Sequence, residues 1–265
     1  MRIAKIFQIT SGTSTYIIKY HVSAIIKHGE QEMHLYIGFD SSNYGQQLAY
    51  EVCKRSVRKY NQEISITPLV LQDLQEQGVF TRKVDPLAST EFTYTRFLVP
   101  YLSNYQGYAM FCDSDFLWRC DVNEVFNFID ETEALSCAQH DYTPSSSLKM
   151  DGKIQTVYPR KNWSSLMVFN CSHQDCHRLT LENVNHQTPK YLHRFEWCDD
   201  RNLGSVPLGY NYLVGYYGSG DLKALHFTDG GPWHKDHRNV DYADEWLSFL
   251  TLEEKLKLDH ELNEK

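Results

Sequence analysis

The sequence predicts an α/β fold, a single domain built on a mainly parallel central sheet with helices covering both faces. Three observations predict it. Short apolar runs that end at an acidic residue alternate with segments whose apolar residues recur every three or four positions, the periods of a buried strand and an amphipathic helix. The chain has 265 residues, within the length at which one large α/β domain is usual. Its hydrophobic content of 42% and aromatic content of 14% supply enough apolar surface for a sizeable core.

Residues 1–32 alternate apolar and polar at Ile3, Ile6 and Ile9 and again at Tyr16 and Ile18, and read as an N-terminal extension with a hairpin turned at Ser11-Gly12-Thr13. The domain proper is expected over 33–240. Its first strand is "MHLYIGFD" (33–40), and the helix after it carries Ala49, Val52, Cys53, Ser56, Val57 and Tyr60 on one face. A second strand, "ISITPLVL" (64–71), leads into a polar loop through Asp85-Pro86. "TEFTYTRFLVPYLSNY" (90–105) predicts a helix of about two turns that Pro100 stops or kinks. The third strand, "GYAMFC" (107–112), runs straight into Asp113-Ser114-Asp115. A helix over 121–131 and strands over 134–141 and 164–171 complete the alternation. The connection between those last strands, 142–163, is polar and punctuated by Pro144, Gly152 and Pro159, the kind of long loop from which lids are made. Residues 241–265 are amphipathic through Leu247, Leu250, Leu256 and Leu258 and are expected to pack on the domain as a helix.

Charge and composition exclude several classes of partner. The net charge is −8 and no stripe of Lys and Arg is present, which argues against nucleic acid. No apolar run approaches the ~18 residues needed to cross a bilayer, so no integral membrane segment is expected. Seven cysteines, an odd number scattered along the chain, fit reduced thiols and a cytoplasmic setting.

In a mainly parallel sheet, ligands bind where strands end. Asp113 and Asp115 fall there. Two carboxylates one residue apart in a half-buried turn ionise together only if a cation neutralises them, and oxygen ligands favour magnesium or manganese. The alternative is a turn in which an Asp caps the next helix. A second cluster, Cys171, His173, Cys176 and His177, has the residue types of a zinc site but no common ligand spacing, and reads as core cysteines with surface histidines.

The segment "TYTRFLVPYLSNYQGYAMFCDSDFLWRCDVNEVF" resembles family 8 glycosyltransferases, which carry a Tyr-x-Arg helix with Pro, an apolar strand, Asp-x-Asp and an Asp-plus-apolar helix start in that order. "SSLMVFNC" is similar to that family's Asn-ended strand, "CDDRNLGSVPLGYNYL" to its acidic helix followed by Leu-Pro and an aromatic-Asn pair, and "ALHFTDGGPWH" to its late His-Phe…Pro-Trp element. The resemblance implies a GT-A fold and transfer of a hexose from a nucleotide diphosphate sugar, a UDP-sugar, with retention of configuration. It implies Mn2+ or Mg2+ held by Asp113, Asp115 and His226. Arg96 would contact the donor, Phe39 and Asp40 the nucleoside, and Asp141 the sugar hydroxyls. Asp199 or Asp200 would lie beside the reacting carbon, and Gly230 and Gly231 would let the backbone approach the ligand. The acceptor, a saccharide, a lipid-linked group or a protein, is left open.

Two departures stand out: Gly231 occupies the place of a Lys that grips the diphosphate in the family, with His234 or Lys235 next in line, and Arg201 stands where a Gln is usual. These favour the rival reading of a catalytically silent nucleotide- or glycan-binding module. A sugar nucleotidyltransferase is a further rival, but "GFDSSNYG" lacks the basic residues of a triphosphate loop.

Overall fold

Along each central strand, alternate side chains enter different cores, because successive residues of a strand point to opposite faces. In the computed structural model, residues 9–11, 14–16, 33–83, 85, 88–141, 160–218 and 220–264 are described. Residues 142–159, most of the expected lid connection, lie outside them. The chain divides into two compact units, 1–32 and 33–265. In the first, β1 (Ile9–Ser11) pairs antiparallel with β2 (Ser14–Tyr16), Ser11 opposite Ser14.

The second unit opens with β3 (His34–Gly38), α1 (Tyr44–Tyr60), β4 (Ser65–Leu69) and α2 (Leu71–Glu76). Asn43 caps α1 by accepting the Gln46 N–H at 3.0 Å. The segment expected as one helix over 90–105 is a 3-10 turn, Thr95–Leu98, followed by α3 (Val99–Leu102). Pro100 sits in the first turn of α3 and so begins that helix rather than ending one, because a first-turn residue needs no N–H bond. Next come β5 (Tyr108–Cys112) and β6 (Phe116–Trp118). The helix expected over 121–131 is a 3-10 turn, Val122–Phe128, capped by Asp121. Then follow β7 (Leu135–Cys137), β8 (Leu166–Asn170), α4 (Leu181–His186), α5 (Pro189–His193), β9 (Leu203–Ser205), β10 (Tyr212–Leu213) and β11 (Ala224–His226).

The main sheet has the order β4-β3-β5-β8-β7-β9. Only β8 runs against the others, pairing antiparallel with β5 and β7, while the remaining neighbours are parallel. The mainly parallel α/β sheet expected from the sequence is therefore present. On one face Leu35, Ile37, Met110, Cys112, Leu166 and Val168 pack with Tyr50, Cys53 and Val57 of α1. On the other, Tyr36, Phe111, Leu135, Met167 and Phe169 pack with Phe97, Val99 and Trp197.

A second sheet, β10-β11-β6, is absent from the sequence reading. Its strands have two or three residues each, too short to show a period. Its Leu117 and Leu225 join Leu48 and Val52 of α1 and Trp233, Trp246 and Leu258 in a third core. The C-terminal segment is two helices, α6 (Ala243–Leu247) and α7 (Leu252–Glu264). A capping box starts the second: the Thr251 N–H donates to Glu254 Oε2 at 2.8 Å and Thr251 Oγ1 accepts the Glu254 N–H at 3.2 Å. That restart turns Leu258 inward but leaves Leu256 at 62% exposure, against the expectation that both would face the core.

Two histidines of this unit are held neutral by the packing around them. Removal from water pushes His34, which stacks on Tyr36, down to about 4. His193, between Tyr94 and Phe97, is pushed down to about 3, first by burial and then by the nearby Arg96 and Arg82 charges. A lowered folded pKa means the unfolded chain takes up the proton first, so this stability is whole above the ordinary value of 6.5 and is lost as pH falls toward 4. The urea midpoint is expected to fall between about pH 7 and about pH 5, above the range in which paired carboxylates titrate. A flat midpoint over that interval would contradict the burial of these rings.

Candidate functional site

The chain leaves the main sheet at Cys112 and enters the small one at Phe116, and the turn between them carries Asp113 and Asp115. The Asp113 N–H donates to Ser165 O at 2.9 Å, which extends the β5–β8 ladder by one rung and sets where that carboxylate stands. In the small sheet, β11 runs antiparallel to β6 with His226 opposite Phe116, and the Phe227 N–H donates to Asp115 O at 3.0 Å. This register brings His226 beside Asp115 from far downstream.

The result is a cluster in which one donor atom from each of Asp113, Asp115 and His226 lies within 4.8 Å of the others, the one such three-ligand group among the described residues. His226 Nε2 is 3.3 Å from Asp115 Oδ1. Bonds of about 2.1 Å to a small divalent ion put neighbouring ligand atoms roughly 3 Å apart, and the His226–Asp115 separation fits two such neighbours on one ion. Two carboxylates and a neutral imidazole suit Mg2+ or Mn2+. His226 is 1% exposed, and its ring stacks on Phe116 with centroids 4.6 Å apart.

Arg96 is 5% exposed and reaches the same cluster from behind. Its Nη1 lies 2.8 Å from Asp113 Oδ1 and donates to Ser164 O at 2.8 Å, while Nε donates to Phe92 O at 3.2 Å. The guanidinium carbon stands 4.9 Å from the Phe111 ring centre and 5.3 Å from that of Phe92. Arg96 is thus an internal counter-ion of the first aspartate.

The other expected residues fall at several places. Asp40, 4% exposed, accepts the Ser42 N–H at 2.9 Å through Oδ1 and the Glu91 N–H at 3.3 Å through Oδ2, so its carboxylate ties the β3–α1 turn to the 90s loop. Phe39 meets the Tyr50 ring edge-on at 5.2 Å. Asp199 caps the 3-10 turn Asp200–Asn202 and binds the Arg201 side chain, whose hydrogen bonds hold its carboxyl well below the usual range. Asp200 is exposed and pairs with Arg160 at 2.5 Å. Asp141 is exposed at the edge of the described residues.

The two glycines have an internal explanation that the sequence reading did not foresee. A Cβ on Gly231 would lie 2.1 Å from the Trp233 ring. Gly230 has φ +129°, and a Cβ there would lie 2.9 Å from His237 Nδ1. The place a Cβ would take at each is filled by the protein's own rings. The zinc alternative at Cys171 and Cys176 is replaced by core packing, with the Cys176 thiol donating to Ala134 O at 3.2 Å and both residues fully buried.

Residues without an assigned role in the sequence complete the surroundings. Asn211 is fully buried, and its Oδ1 lies 2.8 Å from His226 Nδ1. Its Nδ2 donates to Ser165 Oγ at 2.9 Å, and that hydroxyl donates to Asn162 O at 2.7 Å. The Asn162 side chain in turn donates to Thr228 Oγ1 at 3.0 Å. His140 Nδ1 lies 2.8 Å from the Tyr217 hydroxyl. Burial pushes its pKa down to about 3, with the neighbouring His226 adding to the shift and the Asn211 side chain opposing it. The one signal for Asn211 was its place in "GYNYL", beside an aromatic residue.

No protein-family model matches the chain. Protein CDI of Arabidopsis thaliana is 44% identical over 221 residues, which span 81% of this chain and 84% of that protein. Among solved structures, the glycosyltransferase GlyE of Streptococcus pneumoniae TIGR4 superposes with a TM-score of 0.54 at 12% identity, over 89% of this chain. The bifunctional glycosyltransferase WbbM gives 0.49 at 13% identity, over 88% of this chain. This chain spans 64% of the GlyE chain and 52% of the WbbM chain. At such identity the GlyE likeness is one of fold, and the fold is the GT-A type of glycosyltransferases.

Replacing Arg96 with Leu would leave the half-buried Asp113 carboxylate without this counter-ion and the Phe92 and Ser164 carbonyls without their guanidinium donor. The expected loss is about 3–5 kcal/mol of unfolding free energy, read by urea denaturation. A loss below about 1 kcal/mol would mean that the pair is solvated and weak.

Proposed function

Since the chain belongs to the same family as Protein CDI of Arabidopsis thaliana and has the GT-A fold, we propose that it is a metal-dependent hexosyltransferase using a nucleotide diphosphate sugar, a UDP-sugar, and retaining configuration. The observation that carries the reading is the convergence of Asp113, Asp115 and His226 at the end of the central sheet, on a ligand set fitted to one divalent ion. Asp113, Asp115 and His226 hold Mn2+ or Mg2+ in this reading. The ion supplies positive charge to the diphosphate that departs when the sugar is transferred.

The chain's own residues then divide the remaining work. Arg96 fixes Asp113 and neutralises part of the acidic pair before any ion enters. Phe39 offers a ring to the base at the end of β3, on a turn that Asp40 holds in shape. Of the two downstream acids, Asp200 is assigned to the sugar side. Its carboxylate stays exposed and its partner, Arg160, lies two residues from Asn162, which joins Thr228 near the cluster. Asp199 holds its own turn. Asp141, exposed and next to His140, is in this reading the contact for the sugar hydroxyls. The unpaired state of all seven cysteines, each buried, suits a reducing cytoplasmic setting.

The test is release of nucleotide from a panel of nucleotide sugars with Mn2+, comparing the natural chain with Asp115→Asn. Turnover is expected to drop at least about 10²-fold in the variant, because leaving-group stabilisation is lost. Activity within about tenfold of the natural chain would remove Asp115 from the machinery. Tight UDP binding without release from any donor would instead favour the silent binding module.

A further inference from the structure

We infer that Asn211 is the positioning residue of the cluster: it fixes His226 in the tautomer whose Nε2 lone pair faces Asp115, and so prepares the imidazole to bind a metal. The inference rests on the metal reading proposed above and adds to it a residue that touches no ion.

The direction of the hydrogen bonds follows from what each atom is able to donate. Asn162 O is a carbonyl and only accepts, so the Ser165 hydroxyl proton points to it across 2.7 Å. The Ser165 oxygen is then the acceptor for the Asn211 amide, which must turn its NH2 toward it at 2.9 Å. That orientation leaves Oδ1 facing His226 Nδ1 at 2.8 Å. A carboxamide oxygen has no proton to give, so Nδ1 carries the hydrogen. The contact thereby selects the tautomer with its proton at Nδ1, and Nε2, 3.3 Å from Asp115 Oδ1, is the nitrogen left to face a cation.

Burial makes this ordering strict. Asn211, His226 and Ser165 are 0%, 1% and 2% exposed, so bulk water has little access to replace a lost partner. The Phe116 ring stacked on His226 holds the imidazole plane. Ser165 also ties the two sides of the cluster together, since its carbonyl accepts the Asp113 N–H while its hydroxyl supports Asn211. A neutral imidazole that donates its one N–H to a fixed oxygen is a better metal ligand than one free to turn, typically by 10–100-fold in affinity.

The experiment has two arms on the full chain. In the first, nitrogen-15 NMR of the imidazoles of metal-free protein, with His226 assigned by its loss in His226→Gln, reports which ring nitrogen carries the proton. Read on the neutral ring, above the pH at which the imidazole takes a second proton, the expected form carries its proton at Nδ1, and a neutral ring protonated at Nε2 would overturn the inference without any change at Asn211. In the second, Mn2+ titration followed by electron paramagnetic resonance compares the natural chain with Asn211→Leu and Asn211→Asp, each checked for folding by circular dichroism. Leu removes the acceptor and is expected to weaken Mn2+ binding about 10–100-fold, whereas Asp keeps an acceptor oxygen in place and is expected to stay within about threefold. Equal weakening in both variants, or none in Leu, would overturn the positioning role. Absence of Mn2+ binding by the natural chain would sink the metal reading and the inference together, and is seen before any variant is made.

Discussion

Three residues of β11 run antiparallel to three of β6, and that ladder carries the site. Because His226 pairs opposite Phe116, one residue beyond Asp115, the imidazole arrives beside a carboxylate from which it is widely separated in sequence. A shift of one residue in this register would turn His226 to the other face of the sheet. The ladder is short, so packing must hold it. Leu117 and Leu225 enter the core formed with α1, Trp233 and Trp246, while Phe116 stacks on the imidazole itself. Hydrophobic burial on one face thus holds in place the polar arrangement on the other.

Electrostatics sets a second constraint. Two carboxylates in a half-buried turn repel, and the protein meets part of that cost with Arg96, buried between phenylalanine rings and held by the carbonyls of Phe92 and Ser164. Paired carboxylates held this close are the setting in which a divalent cation is drawn in. Ser164 and Ser165 join the two constraints: the first accepts from Arg96, and the second accepts from Asp113 and from Asn211. The same short stretch therefore backs the acidic pair on one side and the imidazole on the other.

What could be read in advance followed from periodicity and from local motifs. The runs at 33–40, 107–112 and 164–171 are mostly apolar stretches, the pattern of strands buried on both faces, and 64–71 is a mixed run that forms the edge strand; each is a strand of the main sheet. The helix after β3 showed itself by its three- and four-residue spacing. Other segments were misread because their signal lies below that scale. Strands of two or three residues have no measurable period, and Pro100 reads equally as a stop or a start until the neighbouring turn is known. That Trp233 and His237 stand against Gly231 and Gly230 is likewise set by the fold alone.

By itself, the sequence determined the α/β architecture, the strand that ends at Asp113 and Asp115, and the chemical types gathered along the chain, because burial and local hydrogen bonding act over a few residues at a time. Tertiary structure alone decided which of those types meet. The β6–β11 register joins His226 to the acids, and Arg96 turns inward to Asp113 rather than outward. Asp199 closes its own turn while Asp200 stays exposed, and Asn211, at the end of the 3-10 turn Leu208–Asn211, is brought in to hold an imidazole. Contacts between residues far apart in the chain depend on strand register and packing that no local window contains, and for that reason a site of this kind becomes visible only in the folded protein.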